Sequence, residues 1–134
     1  VAINIDDARI ADNAGAQPID EPVVAGGPVG YWSTLPIKAI REGLSKAGYP
    51  ASISQTAGTY VCNHVFYGLM RCLEGKPTIR GGFVHVPLCP DQASRSPKPL
   101  PSMASETTAR ALEVLIQITL KTSKDIRVQG GSEH

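Results

Sequence analysis

The feature that most constrains the fold is a change of sequence period between residues 51 and 74. Residues 51–55 are predicted to form a short strand. The next three residues form a tight turn, since Gly58 can adopt backbone angles that other residues avoid. From Thr59 onward the apolar residues recur at helical spacing as far as Glu74, and Gly75 is a stop signal. The sequence therefore predicts a strand, a sharp turn and a helix in direct succession.

Cys62 is predicted to lie in the first turn of this helix. Thr59 is a suitable N-cap, because its hydroxyl can accept a hydrogen bond from a free N–H of that turn. The helix dipole and unpaired amide groups favour an anion there, such as a thiolate. A strand, a sharp turn and a nucleophile that opens a helix form the geometry of a nucleophile elbow. The alternative is that Cys62 is a small buried apolar residue.

A second candidate residue, His85, follows 23 residues later. Residues 81–92 predict a buried strand that ends at a proline-bounded turn, with His85 near the end of the strand. In an open α/β sheet, the C-terminal ends of strands and the N-termini of the following helices share one edge, where ligands bind. Cys62 and His85 are therefore predicted to meet there, with His85 as a base. The alternative is a histidine whose hydrogen bonds are satisfied in the core.

The order of predicted elements indicates the fold class. Along the chain these elements are a strand at 1–5, a loop at 6–33, a helix at 36–47, a strand at 51–55, a helix at 59–74, a strand within 81–92, a loop at 87–101 and a helix at 102–122. In the helix at 36–47, Thr34 is the predicted N-cap and Gly48 the left-handed end. Alternation of this kind predicts an α/β fold, with a mostly parallel central sheet between helical layers. Residues 1–134 are expected to form one domain.

Charge and cysteine content exclude several classes of protein. The chain has 13 basic and 12 acidic residues and no basic cluster, so nothing indicates a nucleic-acid partner. No apolar run has the length of a membrane span, so no membrane partner is expected. The 3 cysteines show no paired spacing, which favours a reducing compartment such as the cytoplasm.

A metal site is the rival interpretation of the cysteine and histidine residues. It would use Cys62, His64, His85 and Cys89. Their spacing matches no zinc-ligand pattern. Moreover, Cys62 and His64 lie two positions apart on a helix and point about 200° apart. No metal and no cofactor are therefore expected.

Three segments resemble pyroglutamyl peptidase I (pyrrolidone-carboxylate peptidase), a family of cysteine peptidases. Residues 54–63 resemble the segment of the active-site cysteine, and residues 82–92 resemble that of the histidine. Residues 2–20 resemble the loop that lies between these segments and the third catalytic residue. The match spans nearly the whole chain in the right order, and three separate motifs make it specific.

The resemblance implies a cysteine hydrolase that removes N-terminal pyroglutamyl (5-oxoproline) residues from peptides. Cys62 would be the nucleophile and His85 the general base and acid. Arg9 would assist stabilisation of the oxyanion, and Tyr60 and Val61 would contact the substrate. The family also implies a cytoplasmic homotetramer whose substrates are pyroglutamylated peptides.

The chain departs from the family at its beginning. The family has a catalytic Glu, followed by an Arg, just before the segment that Val1–Asn4 matches, and this chain begins at Val1. We therefore expect that the N-terminal part of the family, with the first strands of its sheet, is absent here. The alternative function is an inactive or noncatalytic α/β fragment that lacks the catalytic Glu.

Overall fold

The computed structural model describes residues 1–131. The elements are β1 (Ala2–Ile3), β2 (Gly30–Tyr31), α1 (Ile37–Lys46), α2 (Val61–Cys72), α3 (Pro90–Ser94) and α4 (Ser105–Lys121). These residues divide into two compact units. The first contains Val1–Leu35 and Ser54–Phe83, and the second contains Pro36–Ile53 and Val84–Gly130. None of the helices in the described part of the chain is both long and apolar enough to cross a membrane.

The strands of the first unit form an antiparallel pair. Ala2 of β1 lies opposite Tyr31 of β2, and Ile3 lies opposite Gly30. A Cβ atom on Gly30 would come within 2.6 Å of the carbonyl oxygen of Ala2, so this approach of the two backbones requires glycine. The strand predicted at residues 1–5 is therefore confirmed over Ala2–Ile3.

Helix α2 packs against β1 and forms the core of the first unit. Its residues Phe66, Tyr67 and Met70 are buried together with Ala2. The Tyr67 hydroxyl donates a hydrogen bond of 2.7 Å to the carbonyl of Pro28, which satisfies a polar group inside the core. The predicted helix at 59–74 is confirmed, with Val61–Cys72 as its observed bounds.

The second unit is built on helices α1 and α4. Ile40 and Leu44 of α1 are buried, and a Cβ atom on Gly43 would lie 2.3 Å from Cδ1 of Ile118 in α4. A side chain at position 43 would therefore require the Ile118 side chain to move. The helices predicted at 36–47 and 102–122 are confirmed, and Gly48 has the predicted positive φ, at 84°.

The N-cap predicted for α1 is wrong. Pro36 is the N-cap residue and has no side-chain acceptor, while the Thr34 hydroxyl accepts a 2.8 Å hydrogen bond from the Gly81 N–H. The Asp125 carboxylate caps the helix in its place. It accepts hydrogen bonds from the N–H groups of Lys38, at 3.1 Å, and Ala39, at 2.9 Å. A carboxylate far along the chain thus satisfies amides that no local side chain reaches.

The strands predicted at 51–55 and within 81–92 are wrong for this structure. Both segments are irregular, and the sheet within residues 1–131 is the partial one formed by β1 and β2. Strand backbone groups need a neighbouring strand for their hydrogen bonds, and in these segments other partners take them. The Ser54 hydroxyl donates to the Thr56 carbonyl at 2.7 Å, and Leu88 forms one parallel bridge with Ser102.

Candidate active site

A tight turn leads the chain into helix α2. Gly58 has a φ of 81°, which confirms the left-handed conformation predicted for it. Its N–H donates a 2.9 Å hydrogen bond to the Thr56 hydroxyl, and the Thr56 N–H donates one of 3.3 Å to the hydroxyl of Ser54. Short polar side chains therefore satisfy the backbone where no strand is present.

Cys62 is the second residue of α2 and is half-buried. Tyr60 is the N-cap residue and forms no side-chain capping hydrogen bond. Within residues 1–131, the N–H groups of Val61, Cys62 and Asn63 have no hydrogen-bond acceptor. The predicted placement of the thiol in the first turn is confirmed, at the end of the helix where unpaired amides favour a negative charge.

Thr59 is not the N-cap that the sequence predicts. Its hydroxyl donates a 3.0 Å hydrogen bond to the carbonyl of Asp7, and its own carbonyl accepts a 2.7 Å hydrogen bond from the Asp7 N–H. These two bonds tie the segment after β1 to the residue that lies three positions before Cys62. Because the hydroxyl is turned toward Asp7, the first turn of α2 keeps its amides open.

Asn63, the residue after Cys62, is fully buried and pairs with β1 and the residues that follow it. Its side-chain oxygen accepts a hydrogen bond from the Ile3 N–H, and its side-chain amide donates to the carbonyls of Ile3 and Ile5, each at 2.9 Å. Sequence reasoning missed this role. The available signal was an amide side chain on the helix face that also carries Phe66 and Met70.

His64 forms a side-chain hydrogen bond with Asp6. The distance between His64 Nδ1 and Asp6 Oδ2 is 2.6 Å. Asp6 is only 8% exposed, and its backbone forms an antiparallel bridge with Glu21. An ionised carboxylate only accepts hydrogen bonds, so the Nδ1–H of His64 is the donor when Asp6 is ionised. From the sequence, His64 was considered only as a metal ligand, and its partner Asp6 was not predicted.

A groove of about 310 Å³ lies beside the first turn of α2, within the first unit. Tyr60 and Val61, the two residues expected to contact substrate, both line it, together with His64, Asp6 and Pro18. Its volume is at the lower end of the range for small-ligand sites, about 300–1,000 Å³. The structure therefore brings both expected substrate contacts into one concave surface next to Cys62 in the chain.

Arg9 lies on the loop that follows β1 and is exposed. It follows Asp7 by two residues, and the backbone of Asp7 is bonded to Thr59 just before α2. The loop that carries Arg9 is thus attached to the segment that leads into α2. The role of Arg9 at an oxyanion stays a prediction.

His85 is exposed and lies in an irregular segment of the second unit, whereas Cys62 belongs to the first unit. The predicted contact between Cys62 and His85 stays a prediction. Cys89 also belongs to the second unit, and its N–H and Sγ–H donate to the Gln92 side-chain oxygen at 3.1 Å and 3.0 Å at the start of α3. No group of three or more potential metal ligands occurs in the part of the chain that the structure describes.

Comparison with known proteins gives consistent matches. The family model described as pyroglutamyl peptidase matches residues 1–122. The chain is 58% identical to the pyrrolidone-carboxylate peptidase of Cupriavidus necator over 136 aligned residues, which cover 100% of this chain and 62% of that protein. It is also 58% identical to that of Erwinia tasmaniensis, with the same coverage of both chains.

Solved structures agree with these matches. Pyroglutamyl peptidase I from Bacillus amyloliquefaciens superposes with a TM-score of 0.90 at 45% identity, over 96% of this chain and 60% of that one. Pyrrolidone carboxyl peptidase from Thermococcus litoralis gives a TM-score of 0.88 at 40% identity, over 96% and 62%. These structures have an α/β fold, which confirms the predicted fold class. The chain spans about three-fifths of the length of the relatives that it matches.

Proposed function

Because the chain belongs to the pyroglutamyl peptidase family, we propose that it carries the nucleophile of a cysteine peptidase that removes N-terminal pyroglutamyl residues from peptides. The observation that carries this proposal is the position of Cys62. It is the second residue of a helix whose first amides have no acceptor within residues 1–131. Unpaired amides at a helix N-terminus favour a negative charge, and the thiolate is the form in which cysteine attacks a carbonyl.

In the proposed reaction the Cys62 thiolate attacks the carbonyl carbon that joins the pyroglutamyl residue to the next amino acid. His85 holds the proton of the thiol and gives it to the leaving amine as the C–N bond breaks. The thioester that remains is hydrolysed by water, which regenerates the thiol and releases pyroglutamate. The Cys62 N–H and the Arg9 guanidinium stabilise the oxyanion of each tetrahedral intermediate.

The groove beside α2 supports the assignment of the substrate. The pyrrolidone ring is neutral, and Tyr60 and Val61 offer it an aromatic and an aliphatic wall. The substrates are accordingly peptides that begin with pyroglutamate. The family resemblance supports a homotetramer in the cytoplasm. In that family, an orienting Glu for the catalytic histidine precedes the segment that Val1–Asn4 matches.

The test is release of a chromophore from a pyroglutamyl amide. It is measured for the chain alone and for the chain extended at its N-terminus by the Glu-Arg segment of the family, since loss of an orienting carboxylate lowers kcat by about 10⁴-fold in serine proteases. Cys62→Ser is expected to abolish release, whereas the matched variant Cys72→Ser, at an exposed thiol on the same helix, retains it. Activity that survives Cys62→Ser would overturn the proposed mechanism.

A further inference from the structure

We propose that Asp6 and His64 form a positioning pair for Cys62. The pair holds the first turn of α2 against the segment after β1 and thereby fixes the thiol at the open end of the helix. The inference rests on the proposed function, because it assigns a role around the nucleophile named there. It differs from that function in its residues and in its test.

The first observation is that α2 has no side-chain cap to define its beginning. Tyr60 supplies no capping hydrogen bond, and the Thr59 hydroxyl is bonded to the Asp7 carbonyl. Helix ends without such bonds fray. Some other contact must therefore hold the turn that contains Cys62.

The second observation is that Asp6 is a fixed anchor. Its N–H donates to the Glu21 carbonyl at 2.7 Å, and its carbonyl accepts from the Glu21 N–H at 3.1 Å. The residue is 8% exposed, and its Oδ2 atom lies 2.6 Å from His64 Nδ1. A hydrogen bond to a buried, backbone-anchored carboxylate is short and stronger than a neutral one.

The third observation is that packing does not explain the choice of histidine. The His64 side chain is 57% exposed, so most of the imidazole contributes nothing to the core. The part that is fixed is the Nδ1 atom, in a residue two positions after Cys62. Asn63 already supplies the buried contacts of this turn, so the hydrogen bond between His64 and Asp6 holds its exposed side.

The test measures alkylation of each cysteine by iodoacetamide in the full chain, with peptide mapping by mass spectrometry. Cys72, at the C-terminal end of the same helix, is the internal reference. We expect His64→Ala to lower the ratio of the Cys62 rate to the Cys72 rate by about tenfold, because a frayed turn no longer directs its amides at the thiolate.

Substitutions of His64 that keep a hydrogen-bond donor distinguish positioning of Cys62 from a general effect on stability. In His64→Asn the side-chain amide takes the place of the Nδ1–H donor, and we expect a rate ratio within about twofold of the unmodified chain, given the similar helix propensities of the two residues. In His64→Gln the amide is one bond further out, and the ratio should stay low. Asp6→Ala should also lower it, and the double variant Asp6→Ala with His64→Ala should fall no further.

Three results would overturn the inference: a ratio that is unchanged or higher in His64→Ala, a His64→Asn variant as slow as His64→Ala, or additive losses in the double variant. Failure of the proposed function has a different signature. In that case Cys62 would react no faster than Cys72 already in the unmodified chain, since a cysteine without activation reacts as an ordinary thiol.

Discussion

The N-termini of helices α1 and α2 differ in whether their first backbone N–H groups have hydrogen-bond acceptors. Neither has a local side-chain cap, because Pro36 and Tyr60 provide no capping hydrogen bond. In α1, the Asp125 carboxylate accepts hydrogen bonds from free N–H groups of the first turn, although Asp125 lies 87 positions after Lys38 in the chain. In α2, the first amides have no acceptor within residues 1–131. A helix end that is satisfied serves stability, whereas one that is left open is available to an anion.

The open end of α2 is nevertheless held in place. Thr59, Asn63 and His64 bind the segment Ile3–Asp7 by hydrogen bonds of their side chains and backbone. None of these bonds uses the N–H groups of the first turn. The arrangement therefore fixes the turn while it leaves the amides free for a thiolate or an oxyanion.

The largest effect is expected when the internal hold on α2 is removed. Asn63→Leu leaves the Ile3 N–H and the Ile5 carbonyl without the partner that Asn63 gives them, whereas the Ile3 carbonyl keeps its hydrogen bond from the Ile5 N–H. Because unsatisfied buried polar groups cost about 1–3 kcal/mol each, we expect a loss of about 3 kcal/mol in the free energy of unfolding. Urea denaturation followed by circular dichroism measures it.

The control for this variant is Val65→Ala, on the exposed side of the same helix. It should change the free energy of unfolding by less than about 1 kcal/mol, since little buried surface is lost. Equal losses in the two variants would show that Asn63 does not hold the turn through its hydrogen bonds.

The next effect concerns the satisfied helix end. Asp125→Ala removes the acceptor of the Lys38 and Ala39 N–H groups. Loss of an N-cap side chain costs about 0.5–2 kcal/mol, and we expect a value near the upper end because two amides lose their partner. Asp125→Asn, which retains one carbonyl oxygen, should recover part of the loss.

Asp91→Ala is the matched control, because Asp91 is an exposed aspartate in the first turn of α3. It should cost less than about 0.5 kcal/mol. The Cys62 alkylation rate should not change in Asp125→Ala. A change in that rate would contradict the view that the two helix ends act separately.

The sequence predicted the helices well because their signals are local. Apolar spacing placed α1, α2 and α4, and Gly48 and Gly58 have the positive φ angles expected of them. It did not predict the partners of helix ends. Asp125 reaches α1 across 87 positions, and Asn63 reaches β1 across 60. The spacing of apolar residues gives no information about contacts between residues so far apart in the chain.

The strand predictions at 51–55 and 81–92 were wrong for a related reason. A helix satisfies its own backbone, whereas a strand depends on neighbours that lie elsewhere in the chain. Apolar alternation around Ile53 and Val84 indicates a tendency to form a strand, but it does not show whether a neighbouring strand is present to pair with it. At the site, motif resemblance predicted Cys62, Tyr60 and Val61, whereas the contact between Asp6 and His64 is visible only in the structure.

Adding a cap to α2 would make the two helix ends alike. In Tyr60→Asp a carboxylate stands at the N-cap position and accepts the free amides of the first turn. It also repels a thiolate nearby, and we expect about tenfold slower alkylation of Cys62, which corresponds to about 1.4 kcal/mol. The helix itself should gain stability. Mass spectrometry of the alkylated peptides measures the rate.

Two substitutions control for loss of the tyrosine. Tyr60→Phe keeps the ring in the groove and should leave the alkylation rate of Cys62 within about twofold, because it adds no acceptor for the amides. Tyr60→Asn adds a neutral cap and should slow the thiol less than Tyr60→Asp. If Tyr60→Asp leaves the rate unchanged, the open amides do not activate Cys62.

The smallest effect compares two glycines, one beside each helix. Gly48 follows α1 with a φ of 84°, and Gly58 precedes α2 with a φ of 81°; neither has an atom within 4 Å of an added Cβ. Alanine at either position meets only backbone strain, so both variants should lose about 1 kcal/mol of unfolding free energy. Because the two variants should be equally stable, the alkylation rate of Cys62 distinguishes the roles of the two glycines. Only Gly58→Ala should change the Cys62 alkylation rate, because only that turn sets the approach of the chain to the open helix end. Equal rates in the two variants would mean that the turn before α2 shapes the backbone without orienting the thiol.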